Sequence, residues 1–381
     1  LNHPTDSRLA TFATALLEVP AHLVAATART VLRREFGVGD AELYLADYRE
    51  TTLVPAITPD ATPLPVAGTA AGRAFTTRTA VTDGDTVYLP VLVRYNRLGV
   101  LGVSGADPGS HDLFATAAAL LGHELVVADT ATDRFRRVRR RQRLTLAAEM
   151  QWDLLPGRRI GDGRFELAGH LEPAYAVHGD NFDWSLDSDE LTLTVTNGSG
   201  TGVGAAMLTG LTVHAMRNAR RAGLALADQL ALAGQAVWAE YGGKQHVATL
   251  ALRLHLPSGR LAVADAGSPA LYRLRGGDAE RIELDAQLPL GMFDGVEYDL
   301  GQLALRQGDR LLVLSDGVLN AATTAGRYVD TELDRVLAEV ARLSPADAVH
   351  LVLSRLVAFH ASAELADDAV AVLLEWRGGQ R

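Results

Sequence analysis

The residues best suited to chemistry are carboxylates and one amide, each at a strand tip or in a turn. Asp180 sits with Asp183 in VHGDNFD, ahead of a strand-like run at Leu191–Val195 and a glycine-rich turn at Asn197–Gly204. Asp316 follows the strand-forming residues of LLVLSDGV, and the pair Asp367-Asp368 in LADDAVAVLLE precedes another apolar run. Hard divalent cations take oxygen donors, so carboxylates converging from separate strand ends point to a dinuclear metal site. Taken alone, an Asp-Gly step is an ordinary turn and an acidic pair an ordinary helix–strand junction. The order of the four positions along the chain favours the metal reading.

The elements that must position them are read from hydrophobic spacing. Phe165–His170, Asp183–Leu186 and Glu190–Val195 alternate as strands, and helices are expected over Gly204–Ala222 and Ala225–Tyr241. Strands follow at Val247–Leu256, Arg260–Ala264, Ala270–Leu274, Arg281–Leu284 and Arg310–Leu314, with turns at Pro257-Ser258-Gly259 and Arg275–Asp278. Helices at Thr331–Arg342 and Ala346–Ala361 and a strand at Ala369–Trp376 complete the pattern. Asp183, Asp187, Asp189, Asp294 and Asp309 are read as surface or turn residues.

The order GD-x-x-D, then G-S-G-x-G-V-x-A-A-M, then S-D-G-V, then D-D resembles the metal-dependent PPM (type-2C) protein phosphatases, and within them the bacterial sporulation-E and stress-regulator branch. EMQWDLLP (Glu149–Pro156), DAGSPALYRLR and LPLGMF carry the same resemblance, over Arg143–Trp376. It implies two packed antiparallel sheets flanked by helices. It also implies a two-metal Mn²⁺ or Mg²⁺ centre held by Asp180, Asn197, the Gly198 carbonyl, Asp316 and Asp368, with Asp367 a neighbour. In that family the metals activate a water for in-line attack on phosphorus. The expected substrate is a phosphorylated anti-sigma-factor antagonist or similar phosphoprotein.

One departure changes the expectation. The family's metal-bridging aspartate is replaced by Asn197 in Thr196-Asn197-Gly198-Ser199-Gly200. A neutral amide offers one carbonyl oxygen and does not bridge two cations as a carboxylate does. Catalysis is therefore expected to be reduced or lost. A pseudophosphatase that signals by binding a partner or ligand stands as the alternative, and a sensor-centred scaffold as a third reading. His178 stands where a glycine is usual, and Ser268 where histidine is frequent. Asn197-Gly198 is also the step most prone to deamidate, which would create the missing aspartate.

The N-terminal third reads as two short helices around Pro20, paired strands at Ala41–Tyr48 and Thr52–Ile57, a small helix at Gly68–Thr77 and a hairpin of Val87–Val93 with Leu98–Ser104. This order, with its GxAF-like and LGVLGV-like stretches, resembles a GAF sensor domain, which implies an unidentified small ligand; a ligand-free dimer scaffold is the alternative. Residues 112–153 read as one long helix or two abutting ones. Leu121, Leu125, Ala128, Ala131, Phe135 and Val138 space out a coiled-coil seam, which predicts a homodimer. Arg134–Arg143 holds seven arginines in ten residues, a run that ordinarily solvates a helix or pairs with acids. The expected architecture is α+β: a GAF-like domain at 1–111, a connector at 112–153 and a phosphatase-type domain at 154–381.

Composition narrows the function classes. Net charge of −10 argues against nucleic-acid binding by the whole chain, because duplexes select a positive face. With 48% hydrophobic and 22% charged residues and no run of eighteen apolar residues, a globular chain without a membrane span is expected. Zero cysteines exclude disulfides and thiol chemistry and fit a cytoplasmic location. No basic segment leads into an apolar core with a cleavage site, so no signal peptide is expected; the start at Leu1 suggests a trimmed chain.

Overall fold

Pro20 cannot continue a helix, and the chain breaks there between α1 (Pro4–Glu18) and α2 (Val24–Phe36). Gly37 then closes α2 in the left-handed conformation, at φ 68°. Alternating residues build β1 (Asp40–Ala46), β2 (Thr52–Pro55), β3 (Leu64–Pro65), β4 (Val81–Asp83), β5 (Thr86–Val93) and β6 (Asn96–Ser104), with α3 (Ala70–Thr77) between β3 and β4. They pair in the order β3-β2-β1-β6-β5-β4, antiparallel throughout. In this computed structural model the described residues are 4–141, 145–174, 177–267, 269–324, 326–360 and 365–379. The chain divides into two units, Leu1–Arg143 and Leu144–Arg381.

The connector differs from expectation. Residues 112–153 form three helices, α4 (His111–Ala128), α5 (Arg134–Arg139) and α6 (Leu146–Leu154). The sequence Thr130-Ala131-Thr132-Asp133 breaks the helix because its side chains compete for the backbone. Thr130 Oγ1 donates to the Val127 carbonyl at 2.7 Å, and Thr132 Oγ1 accepts from Arg134 N at 3.2 Å. Leu121, Leu125, Ala128 and Phe135 are buried in the core of the first unit, with Val138 packed against it. The seam that motivated a homodimer is thus satisfied within one chain. Arginines of the basic run also turn inward: Arg139 Nε donates to the Ala46 carbonyl at 3.0 Å and lies over the Tyr48 ring. Gln142 and Arg143 lie outside the described residues.

In the second unit one sheet has the order β15-β12-β11-β10-β9: β9 (Asp180–Asp187), β10 (Glu190–Gly198), β11 (Val247–His255), β12 (Arg260–Ala266) and β15 (Gly301–Ala304). The other has the order β14-β13-β16-β19-β8-β7: β7 (Arg159–Asp162), β8 (Phe165–Glu172), β13 (Ala270–Arg275), β14 (Asp278–Arg281), β16 (Arg310–Leu314) and β19 (Ala369–Trp376). Their facing sides share a core that includes Leu167, Phe182, Leu193, Val195, Leu252, Val313 and Val372. The helices α7 (Gly202–Arg221) and α8 (Leu226–Tyr241) cover the outside of the first sheet. The second is covered by α9 (Asp316–Leu319), α10 (Tyr328–Thr331), α11 (Leu333–Val340) and α12 (Pro345–Phe359), around the small hairpin β17 (Ala322–Thr323) and β18 (Gly326–Arg327). Among the described residues no helix is long and apolar enough to cross a membrane.

Asp183 and Asp309, read as surface or turn residues, are buried instead. Asp183 is held by Arg217 at 2.8 Å and Arg220 at 3.0 Å, and Asp309 by Nε and Nη2 of Arg275 in a bidentate pair. Each carboxylate enters the interior because an arginine accompanies it.

Candidate active site at one end of the sandwich

Antiparallel pairing sets Asp180, the first residue of β9, directly opposite Asn197 near the end of β10. From the facing sheet, β16 delivers Asp316 at the start of α9, and its neighbour β19 begins just after Asp367 and Asp368. The positions singled out in the sequence therefore come from two strand pairs at one end of the sandwich. Glycines permit the approach. A Cβ on Gly317 would stand 1.7 Å from the Asp368 carbonyl oxygen, and one on Gly198 would stand 2.6 Å from Thr209 Oγ1.

A cleft of about 500 Å³ opens here, lined by His178, Asn197, Ser199, His246, Asp316 and Asp367 among others. Asp316 and Asp367 face it together. Burial raises the Asp316 pKa, and burial together with the Asp316 charge pushes Asp367 up to about 6. The His178 imidazole, with Nδ1 at 3.5 Å from Asp367 Oδ1, favours both ionised carboxylates. Asp180, paired across the strands with Asn197, is fully buried. Neither of its oxygens has a hydrogen-bond partner. Burial, then the charges of Asp368 and Asp316, raise its pKa well above the ordinary value, with only a small opposing pull from the Ser315 hydroxyl.

Asp368 behaves differently from the ligand expected of it. Its Oδ1 accepts from Ala174 N at 2.8 Å, and its Oδ2 from His178 N at 2.7 Å, Gly179 N at 3.0 Å and Gln151 Nε2 at 2.7 Å. Both oxygens are occupied in holding the chain that leads into Asp180. Asp367, named from the sequence only as a neighbour, is the member of the pair that lines the cleft. Gln151 was missed as a site residue although it lies in EMQWDLLP. Its amide also donates to the Asp180 carbonyl at 2.7 Å, so one side chain of α6 fixes both acidic segments.

Asn197 turns its amide nitrogen toward Asp316 Oδ1 and donates to it. The strand also argues against deamidation. Asn197 is paired on both sides, and Gly198 N donates to the Gly179 carbonyl at 3.2 Å, which keeps that nitrogen from the side-chain amide. Ser268 lies outside the described residues.

These donors meet the needs of a metal centre only in part. Asp316 and Asp367 present carboxylates to the cleft, and the orphaned oxygens of Asp180 are acceptors in want of a proton or a cation. A carboxylate-bridged pair of ions does not fit, because the bridging place carries an amide and Asp368 is saturated. Among the described residues, no group of three or more His, Asp or Glu is arranged to hold an ion.

The family profile "Stage II sporulation protein E (SpoIIE)" matches residues 187–377. The chain belongs to the SpoIIE family. The match spans β10, Asn197, Asp316 and the Asp367-Asp368 pair. Phosphoserine phosphatase RsbU of Bacillus subtilis (strain 168) is 20% identical over 230 residues, 60% of this chain and 69% of that protein. The solved RsbU and RsbW domains of a Mycobacterium tuberculosis protein share 22% identity, with a TM-score of 0.49. That alignment covers 57% of this SpoIIE-family chain and 63% of the other. The PP2C domain of SiaA from Pseudomonas aeruginosa shares 19% identity over 55% of this chain and 85% of its own, with a TM-score of 0.49. Membership of the SpoIIE family supports signalling-phosphatase chemistry in general.

Proposed function

We propose that this chain is a signalling protein phosphatase acting on phosphoserine or phosphothreonine, with a divalent-cation centre weakened by Asn197. The observation that carries the reading is the joint exposure of Asp316 and Asp367 to the cleft, one at the S-D-G-V position to which the resemblance gives a metal and the other beside Asp368, inside the matched SpoIIE region. Asp316 and Asp367 would hold Mn²⁺ or Mg²⁺, with the Asn197 carbonyl oxygen available once its amide leaves Asp316. When bound, such an ion supplies charge stabilisation to phosphoryl oxygens and lowers the pKa of water. The chain's own residues shape the cleft. His178 balances the charge of Asp367, Gln151 and Asp368 anchor the segment entering Asp180, and Thr209 Oγ1 donates to the Gly179 carbonyl at 2.7 Å.

By the same resemblance, the first unit is a GAF-type sensor for a small ligand, and the substrate is a phosphorylated anti-sigma-factor antagonist or a similar phosphoprotein in a partner-switching pathway. The six-stranded antiparallel sheet with helices packed on it supports a sensor architecture.

A second reading is favoured by the Asn197–Asp316 hydrogen bond. A centre that satisfies its own carboxylate with an amide can hold its shape without a cation and bind a phosphoprotein without turning it over. Mn²⁺-dependent hydrolysis of an aryl phosphate and of a phosphoserine protein, for this chain beside Asn197→Asp, separates the two. Activity in both proteins supports the weakened phosphatase. Activity confined to the variant makes the natural chain a binding protein.

A further inference from the structure

A second cleft, of about 600 Å³, opens beside the other end of β9 and β10, where the Asp187-to-Glu190 turn joins them. Each strand alternates, so residues between the core-facing leucines point to the helix side. Register places Ser185, Thr192 and Arg253 in one row across β9, β10 and β11 on that side. α7 ends at Arg221, and Gly223 at φ 77° turns the chain away, leaving this row open to the cleft. The helix end contributes Arg220 and Arg221 to the wall.

The guanidinium groups are not equally engaged. Arg220 Nη1 donates to Asp183 at 3.0 Å. Arg253 Nη2 donates to the Leu224 carbonyl at 3.3 Å, but its Nε is buried without a hydrogen-bond partner, the Glu190 carboxylate standing off at 3.9 Å. Arg221 is exposed beside them. Planar guanidinium forks over hydroxyl donors suit phosphoryl oxygens. Asp187 and Glu190 on the rim oppose a bare anion and favour a ligand that also brings hydroxyl donors.

We propose that this cleft binds a small phosphate monoester, its phosphoryl group recognised by Arg221 and Arg253 over Ser185 and Thr192, its hydroxyls by Asp187 and Glu190. The site is separate from the Asp316–Asp367 cleft. An eight-residue strand at roughly 3.3 Å per residue puts its two ends on the order of 23 Å apart. The proposal does not depend on the chain being a working phosphatase.

Calorimetry of the full chain with glycerol phosphate, at ionic strength matched with chloride, tests it. Binding is expected to survive Asp316→Asn, to weaken roughly ten-fold or more in Arg221→Ala/Arg253→Met, as loss of charge-assisted hydrogen bonds implies, and to weaken in Glu190→Gln, which loses the carboxylate acceptor for the ligand hydroxyls. The Glu190→Gln arm guards against an arginine variant that fails to fold. No binding, or binding abolished by Asp316→Asn and kept by the arginine variant, overturns the proposal.

Discussion

Two carboxylates are buried at the same end of the sandwich, and they are treated in opposite ways. Asp368 accepts from three backbone N–H groups and the Gln151 amide, whereas Asp180 has no well-formed hydrogen bond and only the nearby Ser315 hydroxyl to favour its charge. A saturated buried carboxylate ties down the chain around it; an orphaned one is a stability cost, retained where chemistry needs an acceptor. Asp368 therefore ties the site's chain segments together, whereas Asp180 is left without that support, although the sequence presents both simply as an aspartate beside a strand.

The largest effect is expected from Asp368→Ala. It strands several buried donors and should cost about 3–5 kcal/mol of stability in urea unfolding. Asp180→Asn keeps the shape and removes a carboxylate that burial disfavours in its charged form, so stability is expected to hold or rise at neutral pH. If both substitutions destabilise alike, the distinction fails. Gln151→Leu should fall between them in size, losing about 1–2 kcal/mol, because the Asp180 carbonyl and Asp368 both lose a donor.

The pH response is the smallest effect and follows from sign. Asp180, Asp316 and Asp367 have pKa values raised above their unfolded values, so their contribution to stability is fully present below the unfolded pKa and is lost as pH rises through the folded one. For Asp367 that window closes near pH 6. Stability should therefore rise as pH falls from about 7.5 to about 5, and Asp367→Asn should flatten part of the rise. The carboxylates held low by arginine, Asp162 and Asp309, act in the other direction and only at more acid pH.

Much of the second unit was legible because its strands are strongly apolar and its glycine-rich turns carry a distinctive order. β10, β16 and β19 lie where Leu191–Val195, LLVLSDGV and AVAVLLEW place them. Short edge strands, β4, β7 and β15, were not legible, because they bury too little to leave an alternating pattern. The connector misled for a different reason: helical spacing reports that a face is buried but not by what, and α4 buries its face within its own unit. Asp368 was preferred to Asp367 as a ligand because the sequence does not show which carboxylate meets backbone N–H groups. Gln151 was hidden because its two partners lie 29 and 217 residues away.

Asn197, by donating to Asp316, places an amide where two cations would need a shared carboxylate. Mn²⁺ titration by calorimetry, for this chain and for Asn197→Asp, tests it most directly. One weak site is expected in the natural protein and a second, tighter ion in the variant, where a carboxylate again spans the gap. Two tight ions in the natural protein would contradict it.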